Sequence, residues 1–141
     1  MKKLILIISL FFCNHIFCQN TTVESLLNTF FEEYKKSPET AVENLYKNNV
    51  WTSRSTDDIL NLIKQIASLN EDFVGKYCGY EFIQKKQLNN SLVVLSYMVK
   101  YERQPLRFNF KFYKPKDEFI FFSFKFDSNV DDELEEANRI K

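Results

Sequence analysis

The chain has 141 residues, with 19 basic and 19 acidic side chains and a formal net charge of zero. Such a balance gives no long-range attraction to nucleic acid or anionic lipid, so nucleic acid is not expected as a partner. The composition is rich in aromatic residues (16%) but has only two glycines, too few for a phosphate-cradling loop or a dinucleotide fingerprint.

The start of the chain has the three-part pattern of a secretory signal peptide. Two lysines form a basic start, residues 4–12 form an apolar run, and a more polar patch follows. The apolar run is too short for a membrane span, which needs about 20 apolar residues. We therefore expect a signal peptide at residues 1–18, cleavage after Cys18, and export of residues 19–141 to the periplasm or the cell exterior, with no integral membrane segment in the mature chain.

Cleavage at this point would remove two of the three cysteines and the single histidine, His15. Lipoprotein processing at Cys13 or Cys18 is an alternative, but it requires small residues before the cysteine, and a phenylalanine precedes both. The remaining Cys78 has no partner for a disulfide. We expect it to be a buried structural thiol, since free cysteine is among the most buried residue types.

The first predicted helix is amphipathic. Apolar side chains recur at steps of three and four between Val23 and Tyr34, and charged residues occupy the opposite face. Thr21 and Glu24 form a capping box, in which each side chain bonds a free backbone N–H. The helix is therefore expected to begin at Thr21.

Two further helices are predicted before residue 76. The second begins with Ser37 as its cap and Pro38 in the first turn, where the missing N–H of proline costs nothing. The third begins at Ser55 and has an apolar face of its own, with Asn70 as the predicted stop.

From residue 76 the hydrophobic period changes to two, which predicts strands. Four are expected, at residues 76–88, 91–102, 106–114 and 118–126. Tight turns at Asn89-Asn90 and around Pro115 join neighbouring strands, which must then run antiparallel. Gly79 within the first strand predicts a bulge or a sharp bend.

The third and fourth strands have different patterns. The third has apolar residues on one face only, namely Leu106, Phe108, Phe110 and Phe112. The fourth is apolar on both faces at its start, so part of it should be buried on both sides.

The predicted fold class is α+β, with three N-terminal helices packed on a curved four-stranded antiparallel sheet and a short acidic tail or helix from Asp131. Residues 101–108 (YERQPLRF) and 112–115 (FYKP) look like a stretch of small exported bacterial proteins of unassigned function. With the order of elements, they resemble the cone-shaped superfamily of nuclear transport factor 2, ketosteroid isomerase and scytalone dehydratase. The resemblance implies a single domain over residues 19–141, in which the sheet curls around the first helices and leaves an apolar pocket at the wide end. A cystatin-like fold is disfavoured by the second and third helices.

The composition of residues 19–141 excludes several kinds of site. Without histidine, Ser–His–Asp and Cys–His catalysis and imidazole zinc sites cannot be built. Segment 127–132 has the oxygen spacing of a calcium loop, but Asp132 stands where that loop needs glycine, and Asn138 where it needs a bidentate glutamate. We therefore expect no cofactor and no metal, and place these acids in the first turn of the tail helix.

Glu81 and Glu102 are the carboxylates to consider for acid–base catalysis, which would need one of them buried in the pocket. Solvated or ion-paired glutamates are the default on such strands. Arg103 and Arg107 lie near Glu102 in the sequence, which favours a surface charge network. No catalytic residue is assigned.

Five residues are the candidate ligand contacts, because aromatic side chains with polar tips suit a pocket wall and an arginine suits its rim. They are Trp51, Tyr80, Tyr97, Tyr101 and Arg107. The competing interpretation is that the aromatic residues fill the core or a dimer face. This is the more common role, because aromatic side chains dominate ordinary cores and interfaces.

Three functions are compatible with these patterns. The first is an exported, non-enzymatic module that binds a small apolar ligand or a protein partner. The second is a histidine-free isomerase or dehydratase that uses Glu81 or a tyrosine. The third is a homodimeric assembly protein, with an outer-face patch of Phe119 and Phe121 near Lys111 and Tyr113.

Overall fold

The computed structural model describes residues 22–139, so the predicted signal peptide and its cleavage site lie outside the described residues. The elements are, in chain order, α1 (Val23–Tyr34), α2 (Pro38–Lys47), a 3-10 turn (Thr52–Arg54), α3 (Thr56–Ala67), α4 (Glu71–Val74), β1 (Tyr77–Leu88), β2 (Leu92–Tyr101), β3 (Pro105–Tyr113), β4 (Ile120–Asp127) and α5 (Asp131–Arg139). In this part of the chain, no helix is both long and apolar enough to cross a bilayer.

The strands form one antiparallel sheet in the order β1-β2-β3-β4. This confirms the predicted α+β class, with N-terminal helices packed on a four-stranded sheet and a C-terminal helix. The sequence missed α4. Asn70, interpreted as the stop of the third helix, is instead the N-cap of α4, and its side chain accepts a hydrogen bond from the Phe73 N–H at 3.1 Å.

The helix caps agree with the sequence in part. The cap at Ser37 is confirmed, since its hydroxyl accepts from the Thr40 N–H at 3.4 Å. The capping box at Thr21 is wrong: the N-cap of α1 is Thr22, whose hydroxyl accepts from the Ser25 N–H at 3.2 Å. Ser25 lies three positions after this cap, where a capping box needs a glutamate or glutamine, so no capping box forms.

The core lies between α1, α2 and the inner face of the sheet. The predicted alternation of β3 is confirmed, because Phe108, Phe110 and the other inward residues are buried. Phe30 of α1 packs edge-on against Phe110 at 5.0 Å and lies 5.6 Å from Phe124 of β4 (ring centroids). These rings fill the centre of the space between α1 and the sheet, so a ligand site has to lie at its margin.

The described sheet has three bulges, and two of them, one near Gly79 in β1 and one in β4, decide the exposure of Cys78 and Phe122. In β1 the register shifts between Tyr77 and Gly79, and Gly79 adopts a φ of +102°, which confirms the predicted bend. Cys78 is the extra residue of this shift. It is exposed, and its thiol donates to the Lys76 carbonyl at 3.3 Å. The prediction of a buried thiol is wrong because the bulge takes Cys78 out of the inward alternation.

The other of these two bulges is in β4. Phe112 pairs with Phe121 and Lys111 pairs with Ser123, so Phe122 is an extra residue. Phe121 therefore faces the core, which contradicts the predicted outer-face patch that included it. Phe122 is 51% exposed beside Tyr113, so burial of the start of β4 on both sides is wrong at this residue.

The outer face of the sheet is partly covered by α5, which is held by charged side chains. Arg107 of β3 bonds Glu133 of α5 at 3.0 Å, and Lys86 of β1 bonds Glu136 at 2.8 Å. The predicted acidic tail helix is present, with acids in its first turn. Because Arg107 and Lys86 are basic and their partners on α5 are acidic, these contacts between α5 and the sheet are electrostatic.

Three tyrosines meet where the end of α1 crosses β1 and β2. Tyr34 is 2% exposed, and its hydroxyl lies 2.6 Å from that of Tyr101. The Tyr77 ring lies within 6.0 Å of both rings. Burial raises the pKa of Tyr34 well above its ordinary value, and burial raises the pKa of Tyr77 to about 12.

We expect this cluster to make the protein sensitive to alkali. In the unfolded chain tyrosine ionises at about pH 10. Above that pH the unfolded state releases protons that the folded state retains, so stability is complete below pH 10 and falls as pH rises toward the folded pKa values. Tyr34→Phe removes one of these ionisable hydroxyls. Above pH 10 the free energy of unfolding of this variant should therefore fall less steeply than that of the wild type, by about 1.4 kcal/mol per pH unit.

Urea unfolding between neutral and alkaline pH tests this expectation. The control is Tyr113→Phe, which removes a hydroxyl from an exposed ring. It should leave the pH dependence of the free energy of unfolding unchanged. If Tyr34→Phe and wild type lost stability equally steeply, the buried tyrosines would not be the cause.

Candidate functional site

A cleft of about 540 Å³ opens between the end of α2, the start of α3 and the edge strand β4. Its walls are mainly apolar and include four aromatic side chains, Tyr46, Trp51, Tyr113 and Phe122. Its volume lies within the range of about 300–1,000 Å³ that is typical of small-molecule sites. The cleft is therefore the candidate functional site.

Asn49 fixes the wall of the cleft. It is 6% exposed, and its Nδ2 donates to the Phe121 carbonyl at 2.6 Å while its Oδ1 accepts from the Trp51 N–H at 2.9 Å. Because β4 is an edge strand, it has no further strand to bond its outward carbonyls. One buried amide thus attaches the end of α2 to β4 and positions the backbone of Trp51.

Neighbouring side chains stabilise the same corner. Thr52 donates its hydroxyl to the Asn49 carbonyl at 3.0 Å, and the Tyr46 ring packs edge-on against Phe121 at 5.0 Å. Burial raises the pKa of Tyr46, and the nearby charge of Asp58 adds to the effect. The Tyr46 hydroxyl therefore stays protonated at neutral pH.

The rim of the cleft is formed by exposed rings. Trp51 is 70% exposed and Tyr113 is 42% exposed. A second groove of about 460 Å³ between α2 and α3 shares Tyr46 and Ile59 with the cleft. Exposed apolar surface of this kind, bordered by polar residues, marks interaction sites.

The five predicted contact residues do not share one site. Trp51 lines the cleft. Tyr80 stacks on Phe31 with ring centroids 3.7 Å apart, and Tyr97 lies 5.0 Å from the same ring. These two tyrosines cover α1 from the inner face of the sheet. The hydroxyl of Tyr101 is bonded to that of Tyr34, inside the tyrosine cluster.

Arg107 lies on the opposite, outer face of the sheet. Its guanidinium donates to both carboxylate oxygens of Asp127, at 3.0 and 3.1 Å, and to Glu133 at 3.0 Å. These charges raise the pKa of Arg107. The arginine thus holds α5 and the end of β4 on β3, far from the cleft rim.

The carboxylates on the strands are partnered at the surface. Glu81 pairs with Lys100 at 2.6 Å, as expected for an exposed glutamate. The predicted network between Glu102, Arg103 and Arg107 is wrong: Glu102 accepts from the Lys76 N–H at 3.0 Å, and Arg103 donates to the Phe73 carbonyl at 2.9 Å. The turn between β2 and β3 points these two side chains back toward α4.

Sequence reasoning missed most of the cleft. In the sequence, Asn49 follows the second predicted helix, Asp58 lies at the start of the third, and Tyr113 belongs to the predicted outer-face patch. The available signal was the run of apolar and aromatic residues next to turns, at Trp51 and Phe122, but nothing in their spacing showed that they meet.

Within residues 22–139, no group of three or more His, Cys, Asp or Glu side chains is placed to hold a metal ion. Protein-family models, curated proteins and solved structures give no match to this chain. The site is therefore interpreted from its own geometry.

Replacing Asn49 by leucine should destabilise the domain. Leucine has a similar size, but it leaves the Phe121 carbonyl and the Trp51 N–H without their partner. Unsatisfied buried groups cost about 1–3 kcal/mol each, so we expect a loss of about 2 kcal/mol or more in the free energy of unfolding. Denaturant unfolding followed by circular dichroism measures it.

Asn48→Leu is the matched control. Asn48 is exposed, and its amide donates to the Asn44 carbonyl at 2.8 Å in contact with water. The control should lose less than about 0.5 kcal/mol. Equal losses for the two variants would show that the buried bridge is not what stabilises this corner.

Proposed function

We propose that this protein is an exported binding module and that the aromatic cleft holds a small ligand with an apolar body. The observation that carries the proposal is a cleft of about 540 Å³ with aromatic rings exposed at its rim. A ligand would cover these rings, and burial of apolar surface contributes about 25 cal/mol per Å².

Binding is favoured over catalysis by the side chains that line the cleft. Of residues 22–139, one carboxylate lines the cleft, that of Asp58, which is exposed at the start of α3, and no lysine, arginine or histidine does so. Proton transfer from carbon would need a base held in a dry pocket, with a second group to receive the developing charge. The cleft therefore has the apolar wall of a binding site, but it has neither a base in a dry pocket nor a second group for the developing charge.

Two further parts of the proposal come from the sequence. The basic start and apolar run support export, with the mature chain in the periplasm or outside the cell. The helices followed by a four-stranded antiparallel sheet support membership of the nuclear transport factor 2-like superfamily. In that superfamily the curled sheet leaves an apolar pocket at its wide end, and in this chain the phenylalanines of the core leave a cleft at the margin.

Trp51 is the only tryptophan of the chain and is therefore a direct reporter of the cleft. We expect the neutral aromatic dye N-phenyl-1-naphthylamine to quench Trp51 emission saturably by energy transfer. Phe122→Ser should weaken binding about tenfold, because it removes a rim ring. Titration of the purified mature chain measures both.

The control variant is Phe73→Ser. Phe73 is about as exposed as Phe122 but lies in α4, beside the turn between β2 and β3. It should leave the dye affinity unchanged. Absence of saturable quenching, or equal weakening by both variants, would contradict the proposed site. If Phe122→Ser instead separated a dimer, the cleft would be an assembly surface.

Export predicts a processed N-terminus. Native mass spectrometry of the protein from the exported fraction of its natural host should give a mass that begins at Gln19. A lipidated cysteine, or an intact Met1 in the cytosol only, would contradict soluble export. The same spectrum would reveal a bound ligand as additional mass.

A further inference from the structure

We propose that the ligand of the cleft is a cation, with an amine or quaternary ammonium group on an apolar body; this inference rests on the function proposed above. Among the residues that the structure describes, Asp58 is the only formally charged side chain that lines the cleft. An aromatic wall with a single carboxylate complements a ligand that has an apolar body and one positive charge.

The charge of Asp58 is not neutralised by an ion pair in the described part of the chain, where the ion pairs join other residues. Asp58 lies in the first turn of α3 beside Asp57. A helix N-terminus carries a partial positive charge of only about half a unit, so the negative charges of Asp57 and Asp58 together exceed it. The start of α3 therefore carries a net negative charge at the wall of the cleft.

Asp58 of α3 and Tyr46 of α2 both line the cleft. Burial raises the pKa of Tyr46, and the charge of Asp58 adds to the effect. A cation placed between these two side chains would interact with the carboxylate and with the ring together.

The aromatic rings suit the same ligand. A cation within about 6 Å of a ring centroid is attracted to the ring face, and groups of aromatic side chains recognise quaternary ammonium ligands in this way. Tyr46, Trp51, Tyr113 and Phe122 all line the cleft. The Arg54 guanidinium already lies 4.7 Å from the centroid of the Trp51 ring, so this surface holds a cation of its own chain.

The remaining polar groups do not favour an anion. Asn49 uses its amide for Phe121 and Trp51, and Thr52 donates to the Asn49 carbonyl. Arg54 is not among the lining residues. In the adjacent groove Lys47 is paired with Glu43 at 2.8 Å. The cleft therefore has no unpaired cation among its lining residues to receive an anion.

Three probes of similar shape test the charge preference: phenyltrimethylammonium, its neutral carbon analogue tert-butylbenzene, and the anion benzenesulfonate. Affinities are measured on the mature chain by Trp51 emission and by calorimetry, at low ionic strength. We expect phenyltrimethylammonium to bind about tenfold or more tightly than tert-butylbenzene, and benzenesulfonate to bind weakest.

Asp58→Asn identifies the responsible charge. It should weaken phenyltrimethylammonium about tenfold and leave tert-butylbenzene within about twofold. Asp57→Asn is the matched control, because it makes the same charge change in the same helical turn at a residue that does not line the cleft. It should weaken the cation less than about threefold. Both side chains are exposed, so both variants should fold.

The outcomes separate this inference from the proposed function. If N-phenyl-1-naphthylamine binds but the cation binds no better than tert-butylbenzene, or if Asp58→Asn has no effect, the cationic ligand is wrong and the binding module stands. Tightest binding by benzenesulfonate would also overturn it. If neither the dye nor any probe binds, both proposals fail.

Discussion

The contact between the aromatic face of α1 and the phenylalanines of β3 and β4 is the constraint on which the rest of the structure depends. Residues 22–139 contain one cysteine, so this part of the chain has no disulfide within itself. The rings of Phe30, Phe110 and Phe124 interlock with centroids about 5–6 Å apart. A slip of one residue would turn the inward rings of a strand toward water, so this packing fixes the register of the sheet. The position of β4 then decides where Asn49 can attach α2.

The two faces of the sheet are used for different purposes. The inner face is filled by rings and gives stability, which leaves the centre of the domain closed. The outer face is charged, and Arg107 holds α5 there through Glu133. The candidate cleft lies at the margin, where the edge strand β4 has no neighbouring strand and α3 leaves a space. The cleft is thus a consequence of a core that is already full.

Much of the fold was predictable because the spacing of apolar residues along a segment shows which of its side chains are buried. The alternation of β3 and the Ser37 cap depend on neighbours in sequence, and both are confirmed. Cys78 and Phe121 were assigned to the wrong environment because a bulge adds one residue to a strand and shifts the alternation. Hydrophobicity alone does not show where such a residue is inserted.

The cleft was less predictable than the fold. Trp51 could be selected as an aromatic side chain with a polar tip, whereas Asp58 and Tyr113 come from segments far apart in the chain. They meet only because α2 is attached to β4, and that attachment depends on a buried asparagine at a helix end. No local pattern in the sequence distinguishes such an asparagine from one that simply ends a helix in water.

Because of the bulge in β4, a residue that lines the cleft can change in evolution without a change in the core. Phe112 pairs with Phe121, and Lys111 pairs with Ser123, on either side of Phe122. A chain without Phe122 could keep both pairs in an unbroken ladder, with every inward ring in place. Descendants of this domain could therefore exchange or lose that ring, and so reshape the cleft, while inheriting the same interior.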